Sequence, residues 1–271
     1  MASTTARRPS RKALAEQAAR AARAAAISEL LAEEYPGSAA ELCALRHRGP
    51  FQLLVATILS AQCTDERVNM VTPALFRQYP GPRELAAAER SELETLIQST
   101  GFFRSKASHL VGMSQELLER FGGRPKDFPS SIADLTSLPG VGRKTANVVR
   151  SVALGQPGLP VDTHVLRLSK RLGLTTNTDP VKVETDLGAL FPEEEWGATS
   201  VRLILHGRRV CLARRPRCTE CLLAELCPSA EIGSPAGPTP AGRKPERQRH
   251  APAPGELASA PLEVAVRPRS R

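Results

Sequence analysis

The stretch Leu138-Pro139-Gly140-Val141-Gly142-Arg143-Lys144-Thr145-Ala146 decides how this chain is read. It reads as the tight hairpin between two helices, with Lys144 at the start of the second. Pro139 cannot continue a helix, and Gly140 and Gly142 supply backbone conformations closed to other residues. The N–H groups that open the second helix are then free to hold an anion, most naturally a nucleic-acid phosphate. A lysine there has two jobs open to it. It adds a phosphate contact, or, without its proton, it acts as an amine nucleophile that forms a Schiff base. Further on, Val161-Asp162-Thr163-His164 offers the Asp162 carboxylate to work beside it.

Around the hairpin the pattern is helical. Helices are predicted over 27–35, 51–60, from Asp65 onward, 86–99, 105–121, 131–137, 143–153, 163–172, 180–190 and 196–210. Thr64 or Asp65 is the expected cap of the third. Pro and Gly punctuate the series at Pro80-Gly81, Gly122-Gly123 and 155–160. Aromatic residues make up only 4% of the 271 positions, and the apolar ones are mostly Leu, Ala and Val. That composition favours helices over sheets, so the expected fold class is all-α.

No apolar run is long enough to span a bilayer, which excludes an integral helical membrane protein. The formal net charge of +9 sits almost wholly in the ends. Residues 1–24 hold six Lys/Arg and one Glu, and 229–271 hold seven and four, so the ends carry eight of the nine charges. Both are read as tails, the first basic and disordered or loosely helical, the second disordered and rich in Pro, Ala and Arg. The Ala/Arg-rich start also overlaps in composition with an organellar transit peptide. Between the tails, 202–217 contains six arginines (Arg202, Arg208, Arg209, Arg214, Arg215, Arg217) and no acid. Beside the hairpin, this patch reads as a footprint for DNA phosphates.

Four of the six cysteines, Cys211, Cys218, Cys221 and Cys227, are crowded with the spacing C-x6-C-x2-C-x5-C. Such crowding points to metal more than to disulfides, and by itself leaves zinc and an iron–sulfur cluster open. Cys43 and Cys63 read as buried thiols.

From about Ile27 to Cys227 the chain resembles the endonuclease III family of helix–hairpin–helix DNA glycosylase/AP lyases. The likeness rests on Leu138 to Ala146, Asp162, the Gln62 motif Leu59-Ser60-Ala61-Gln62-Cys63-Thr64-Asp65 and the cysteine spacing. The resemblance implies two helical domains with the substrate cleft between them. One is a six-helix domain over 46–157 that holds the hairpin. The other combines 25–45 with 158–228 and ends in a [4Fe-4S] cluster loop on the four cysteines. The cluster's implied role is structural, holding the loop of Arg214, Arg215 and Arg217 against DNA.

The resemblance also implies the chemistry. Gln62 enters the base stack, and Phe102 of Gly101-Phe102-Phe103-Arg104 is a second inserted wedge. Lys144 attacks C1′ of the sugar and displaces an oxidised pyrimidine. The Schiff base then allows β-elimination 3′ to the abasic site, with Asp162 accepting a proton and stabilising charge on the sugar. A lysine amine needs desolvation or nearby positive potential, here from the hairpin and Arg143, to act as a nucleophile. Gly140, Gly142 and Arg143 are the expected phosphate contacts. Damaged duplex DNA is the implied partner, and a monomer in the bacterial cytoplasm, on the nucleoid, is the implied setting.

Two other readings are weighed. An adenine-mismatch glycosylase shares the hairpin and cluster but needs a catalytic glutamate where this chain has Thr57, and no acid occurs over 51–61. A non-catalytic, metal-stabilised DNA-binding protein needs the glycines and arginines but not Lys144 with Asp162.

Overall fold

The computed structural model describes residues 10–231, and among them there are eleven α-helices and no strand. In chain order these are α1 (Arg11–Glu34), α2 (Pro50–Leu59), α3 (Asp65–Gln78), α4 (Pro82–Ala86), α5 (Arg90–Ile97) and α6 (Phe103–Phe121). Then follow α7 (Ile132–Ser137), α8 (Arg143–Ala153), α9 (Thr163–Arg171), α10 (Pro180–Gly188) and α11 (Trp196–Arg209). The all-α expectation holds, and the starts follow local chemistry. Side-chain oxygens of Thr64, Ser131, Asp162 and Asp179 accept from first-turn amides of α3, α7, α9 and α10. Thr64, not Asp65, is the cap of α3. The helix expected over 86–99 is shorter: Ala86 ends α4, the Glu89 carboxylate caps a new start at Arg90, and α5 passes at Ile97 into the tighter turn Gln98–Thr100.

The other departure is at the N-terminus. The first helix begins at Arg11, with Ser10 as its cap, so 11–24 is helical rather than part of a disordered tail. Residues 10–19 are exposed, and the helix is held further along by Ala24, Ile27 and Leu31, buried at three- and four-residue spacing. Full burial of side chains such as Ile27 and Leu31 contributes about 1.5–3 kcal/mol each. The transit-peptide reading of 1–9 and the tail reading of 232–271 lie outside the described residues.

Two apolar cores organise the rest. One gathers buried residues between Ala39 and Val152, and seven of the ten residues of α2 are buried in it. The second joins Ala24, Ile27 and Leu31 of α1, with Tyr35 just after it, to residues between Leu159 and Leu223. The chain therefore leaves the second core after α1, builds the first, and returns after α8.

Candidate functional site

The hairpin between α7 and α8 turns on Gly140, whose φ of +77° is the left-handed conformation that side chains resist. A Cβ there would also lie 2.7 Å from Cβ of His109 on α6. Gly142 differs from expectation. Its φ of −87° and ψ of 171° suit any residue, and a Cβ would meet nothing within 4 Å. Its lack of a side chain keeps the ground before α8 open instead.

Helix α8 starts with no side-chain cap and no acid in its first turn. Its first intrahelical bond is from Ala146 N–H to the Gly142 carbonyl (3.0 Å), so the amides of Arg143, Lys144 and Thr145 are the orphan donors of a helix start. Lys144 is exposed at the second helical position. A cation there faces the positive end of the helix dipole, an unfavourable place for a lysine with only a structural task. Arg143 does not stand free. Its guanidinium grips Glu184 of α10 through two hydrogen bonds of 2.8 and 2.9 Å, which offsets the positive potential expected from it and ties the two cores together.

Asp162 caps α9, and its Oδ1 accepts from the amides of His164 (2.8 Å) and Val165 (2.9 Å). Its Oδ2 has no partner among the described residues. No ion pair within 4.0 Å joins Asp162 to Lys144; each stands at the N-terminus of its own helix. His164 is packed, with its Nδ1 3.1 Å from the Arg167 guanidinium, and burial pushes its pKa below the ordinary value. Thr57 is buried, and its hydroxyl donates to the Leu53 carbonyl at 2.7 Å.

The structure says most about Gln62 and Phe102. Among the described residues they are the two non-glycine positions with positive φ, 54° and 48°. Both are exposed; the Phe102 ring, which a packing role would bury, is 67% accessible. Strained backbone under an exposed side chain marks a position shaped for something outside the chain. Gln62 follows the end of α2, and Phe102 is the residue before α6.

Sequence reasoning passed over Lys106 of α6, which is 4% exposed. Its Nζ donates to the Leu59 carbonyl at 2.7 Å and to the Thr100 carbonyl at 2.8 Å. The signal was present: Lys106 lies in register with the buried Leu110, Met113 and Leu117.

The four crowded cysteines are half-buried and line one recess with Leu168, Leu172, Val210 and Leu223. No three His, Cys, Asp or Glu side chains among the described residues converge as ligands of one ion would. Donors face the sulfurs instead. Arg171 Nη1 lies 3.3 Å from Cys211 Sγ, and His206 Nε2 lies 3.3 Å from Cys221 Sγ. Burial drives the His206 pKa down to about 4 and raises that of Tyr35. The neutral His206 ring thus bridges the Tyr35 phenol, 3.3 Å from Nδ1, and the Cys221 sulfur, 3.3 Å from Nε2. Burial also pushes the thiols of Cys221 and Cys227 up. Cys43 and Cys63 are half-buried against the first core.

The arginine patch divides in two. Arg202 donates to the carbonyls of Tyr35 and Gly37, Arg208 pairs with Asp65 at 2.9 Å, and Arg209 lies over the Tyr35 ring. These three serve the fold. Arg214, Arg215 and Arg217 are exposed on the loop between Cys211 and Cys218.

Comparison with known proteins agrees with this geometry. A family model described as "HhH-GPD superfamily base excision DNA repair protein" matches residues 55–193. An endonuclease III from Synechocystis sp. is 52% identical over 219 residues, covering 80% of this chain and 97% of that protein. The chain belongs to the endonuclease III family. A solved non-covalent endonuclease III–DNA complex superposes with a TM-score of 0.72 at 41% identity, covering 78% of this chain and 96% of that one. A trapped endonuclease III–DNA covalent intermediate gives 0.69 at 43%, covering 75% and 93%. In this endonuclease III family member the span matched by the family model contains Gln62, Phe102, Lys144 and Asp162, and ends before the four cysteines.

Proposed function

We propose that Lys144 makes this chain a bifunctional DNA glycosylase/AP lyase of base excision repair, removing oxidised pyrimidines from duplex DNA. The observation that carries the reading is an exposed lysine at the uncapped start of a helix that opens on a glycine hairpin. The orphan amides of α8 hold a phosphate next to the lesion, which brings the extruded sugar to Lys144. Its amine attacks C1′ as the bond to the base breaks, and the base leaves with the electron pair and takes a proton. The sugar ring opens to give an iminium between C1′ and Nζ. Loss of the C2′ proton then expels the 3′ phosphate, and water releases the enzyme. Asp162 keeps Oδ1 on the start of α9 and offers Oδ2 to the proton from the amine and to the charge building on the sugar. Gln62 and Phe102 fill the space the lesion leaves. Gly140 shapes the turn, Gly142 lets the phosphate approach, and Arg143 offers DNA its Nη1 while Nε and Nη2 hold Glu184.

Cys211, Cys218, Cys221 and Cys227 would hold a [4Fe-4S] cluster. The chemistry of the recess fits one: four thiols line a single apolar recess, Arg171 donates to the Cys211 sulfur, and His206 lies within hydrogen-bond reach of the Cys221 sulfur. When bound, the cluster supplies cross-linking, and the loop with Arg214, Arg215 and Arg217 is held as a phosphate-binding edge. We read the two cores as two domains with the DNA cleft between them, and the protein as a monomer acting on the bacterial nucleoid.

The test is borohydride trapping on a duplex carrying one thymine glycol. A covalent protein–DNA adduct is expected, absent in Lys144→Ala, while that variant still binds the duplex. A folded wild-type protein that binds this duplex without trapping would overturn the lysine mechanism and leave a DNA-binding protein in its place. The adenine-mismatch reading has no support at Thr57, whose side chain is turned back onto its own helix.

A further inference from the structure

Lys106 is a buried cation with no ion-pair partner within 4.0 Å among the described residues. Burial pushes its pKa below the ordinary lysine value, with Cys63 nearby acting in the opposite sense. An unpaired buried ammonium is costly, and a methionine would fill the same space without that cost. What the lysine gains is two carbonyls. One is Leu59, at the end of α2; the other is Thr100, at the end of the short turn Gln98–Thr100. Both are C-terminal helix carbonyls, which lack intrahelical partners and carry partial negative charge.

The placement of those carbonyls matters more than their number. Leu59 lies three residues before Gln62, and Thr100 two residues before Phe102. The two loops come from chain segments some forty residues apart, and each carries one of the two strained, exposed positions. With bonds of 2.7 and 2.8 Å to one nitrogen, the carbonyl oxygens are at most about 5.5 Å apart. We propose that Lys106 is a positioning residue for lesion extrusion, pinning the Gln62 loop to the Phe102 loop so that both side chains enter the duplex as one unit. This rests on the reading of Gln62 and Phe102 as inserting residues.

The test uses the full chain with Lys106→Met and Lys106→Arg, each checked by thermal melting and by the visible absorbance of its cluster. Single-turnover excision of thymine glycol from a duplex is compared with borohydride trapping on a single-stranded abasic oligonucleotide, which needs Lys144 but no duplex opening. A 2-aminopurine opposite the lesion reports local unstacking. For Lys106→Met we expect a loss of about 10- to 100-fold on the duplex, a weaker 2-aminopurine signal, and single-strand trapping within about twofold of wild type. Placing the lesion in a pre-melted bubble restores most of the duplex loss, because unpairing is then already done. Lys106→Arg, which keeps the donors, stays nearer wild type. An equal loss on both substrates, or no loss on the duplex, would overturn the proposal. If Lys106→Met does not fold, Lys106→Gln takes its place under the same criteria. Gln62→Ala and Phe102→Ala separate the two levels. If neither slows duplex excision, the insertion reading fails; if both do and Lys106→Met does not, only the pin fails.

Discussion

Gly140 and Gly142 look alike in the sequence, and the structure predicts opposite consequences for replacing them with alanine. Gly140→Ala forces a side chain into φ +77°, which costs about 1–2 kcal/mol. The new Cβ also falls 2.7 Å from Cβ and 2.8 Å from Cγ of His109. Those atoms are the root of the side chain, so the hairpin or α6 must move, an overpacking cost of about 1–3 kcal/mol. Reduced freedom of the unfolded chain returns about 0.4–1 kcal/mol. Taken at their mid-values these terms leave a net destabilisation of about 3 kcal/mol. Gly142→Ala has neither penalty, since its φ is −87° and its Cβ meets open space. The same unfolded-state gain offsets alanine's poorer capping, leaving a change within about 0.5 kcal/mol. Its methyl group, however, occupies the ground where a phosphate would approach the α8 amides. Urea titration and fluorescence anisotropy on a duplex with a tetrahydrofuran abasic analogue separate the effects. With a urea slope of about 2 kcal/mol/M, Gly140→Ala lowers the midpoint by about 1–2 M. Gly142→Ala leaves the midpoint in place and weakens binding by about tenfold, or about 1.4 kcal/mol. Equal midpoint shifts for the two variants, or unchanged affinity in Gly142→Ala, would refute the assignment of one glycine to the turn and the other to the ligand.

Other consequences follow from the same geometry. Asp162→Asn keeps an oxygen to cap α9, so its melting temperature stays near wild type while single-turnover excision falls by about 100-fold or more. Asp162→Ala also loses about 1 kcal/mol of stability, and a comparable loss in Asn would show that capping is not the reason. Because burial lowers the Lys106 pKa, the unfolded chain binds more protons than the native one as pH climbs towards the ordinary lysine value. The stability of wild type relative to Lys106→Met therefore rises as the pH is raised towards the ordinary lysine value of about 10.4; a flat difference across melts on that approach would contradict the burial argument. On the proposed cluster ligation, replacing Cys218 by alanine removes one cross-link from a segment whose described elements are the short turns Cys218–Glu220 and Ala224–Leu226. Hydrogen exchange is expected to quicken over 212–228 and to stay unchanged in α2, α6 and α8.

The local chemistry of the chain was enough to determine the helices and most of their starts. Thr64, Ser131, Asp162 and Asp179 cap through neighbours three residues away or fewer, and the break at Pro139-Gly140 is equally local. Lys144, Asp162 and the four cysteines stand out as candidates on equally local grounds, the hairpin motif in one case and the spacing in the other. What depended on distant contacts was not. That Gly142 needs no special backbone, that Arg143 is held by Glu184, and that Arg202, Arg208 and Arg209 serve the fold are all set by elements far along the chain. The helix over 11–24 is a different case: its Ala, Leu, Arg, Lys, Glu and Gln are strong helix formers and Ser10 caps it, so it is local in origin and the second core adds only the anchor from Ala24 onward. Lys106 shows the division most sharply. Its apolar register marks it as buried, but only the folded chain brings the ends of two loops to one ammonium, because hydrogen bonds act over about 3 Å and sequence distance carries no record of which carbonyls will lie that close.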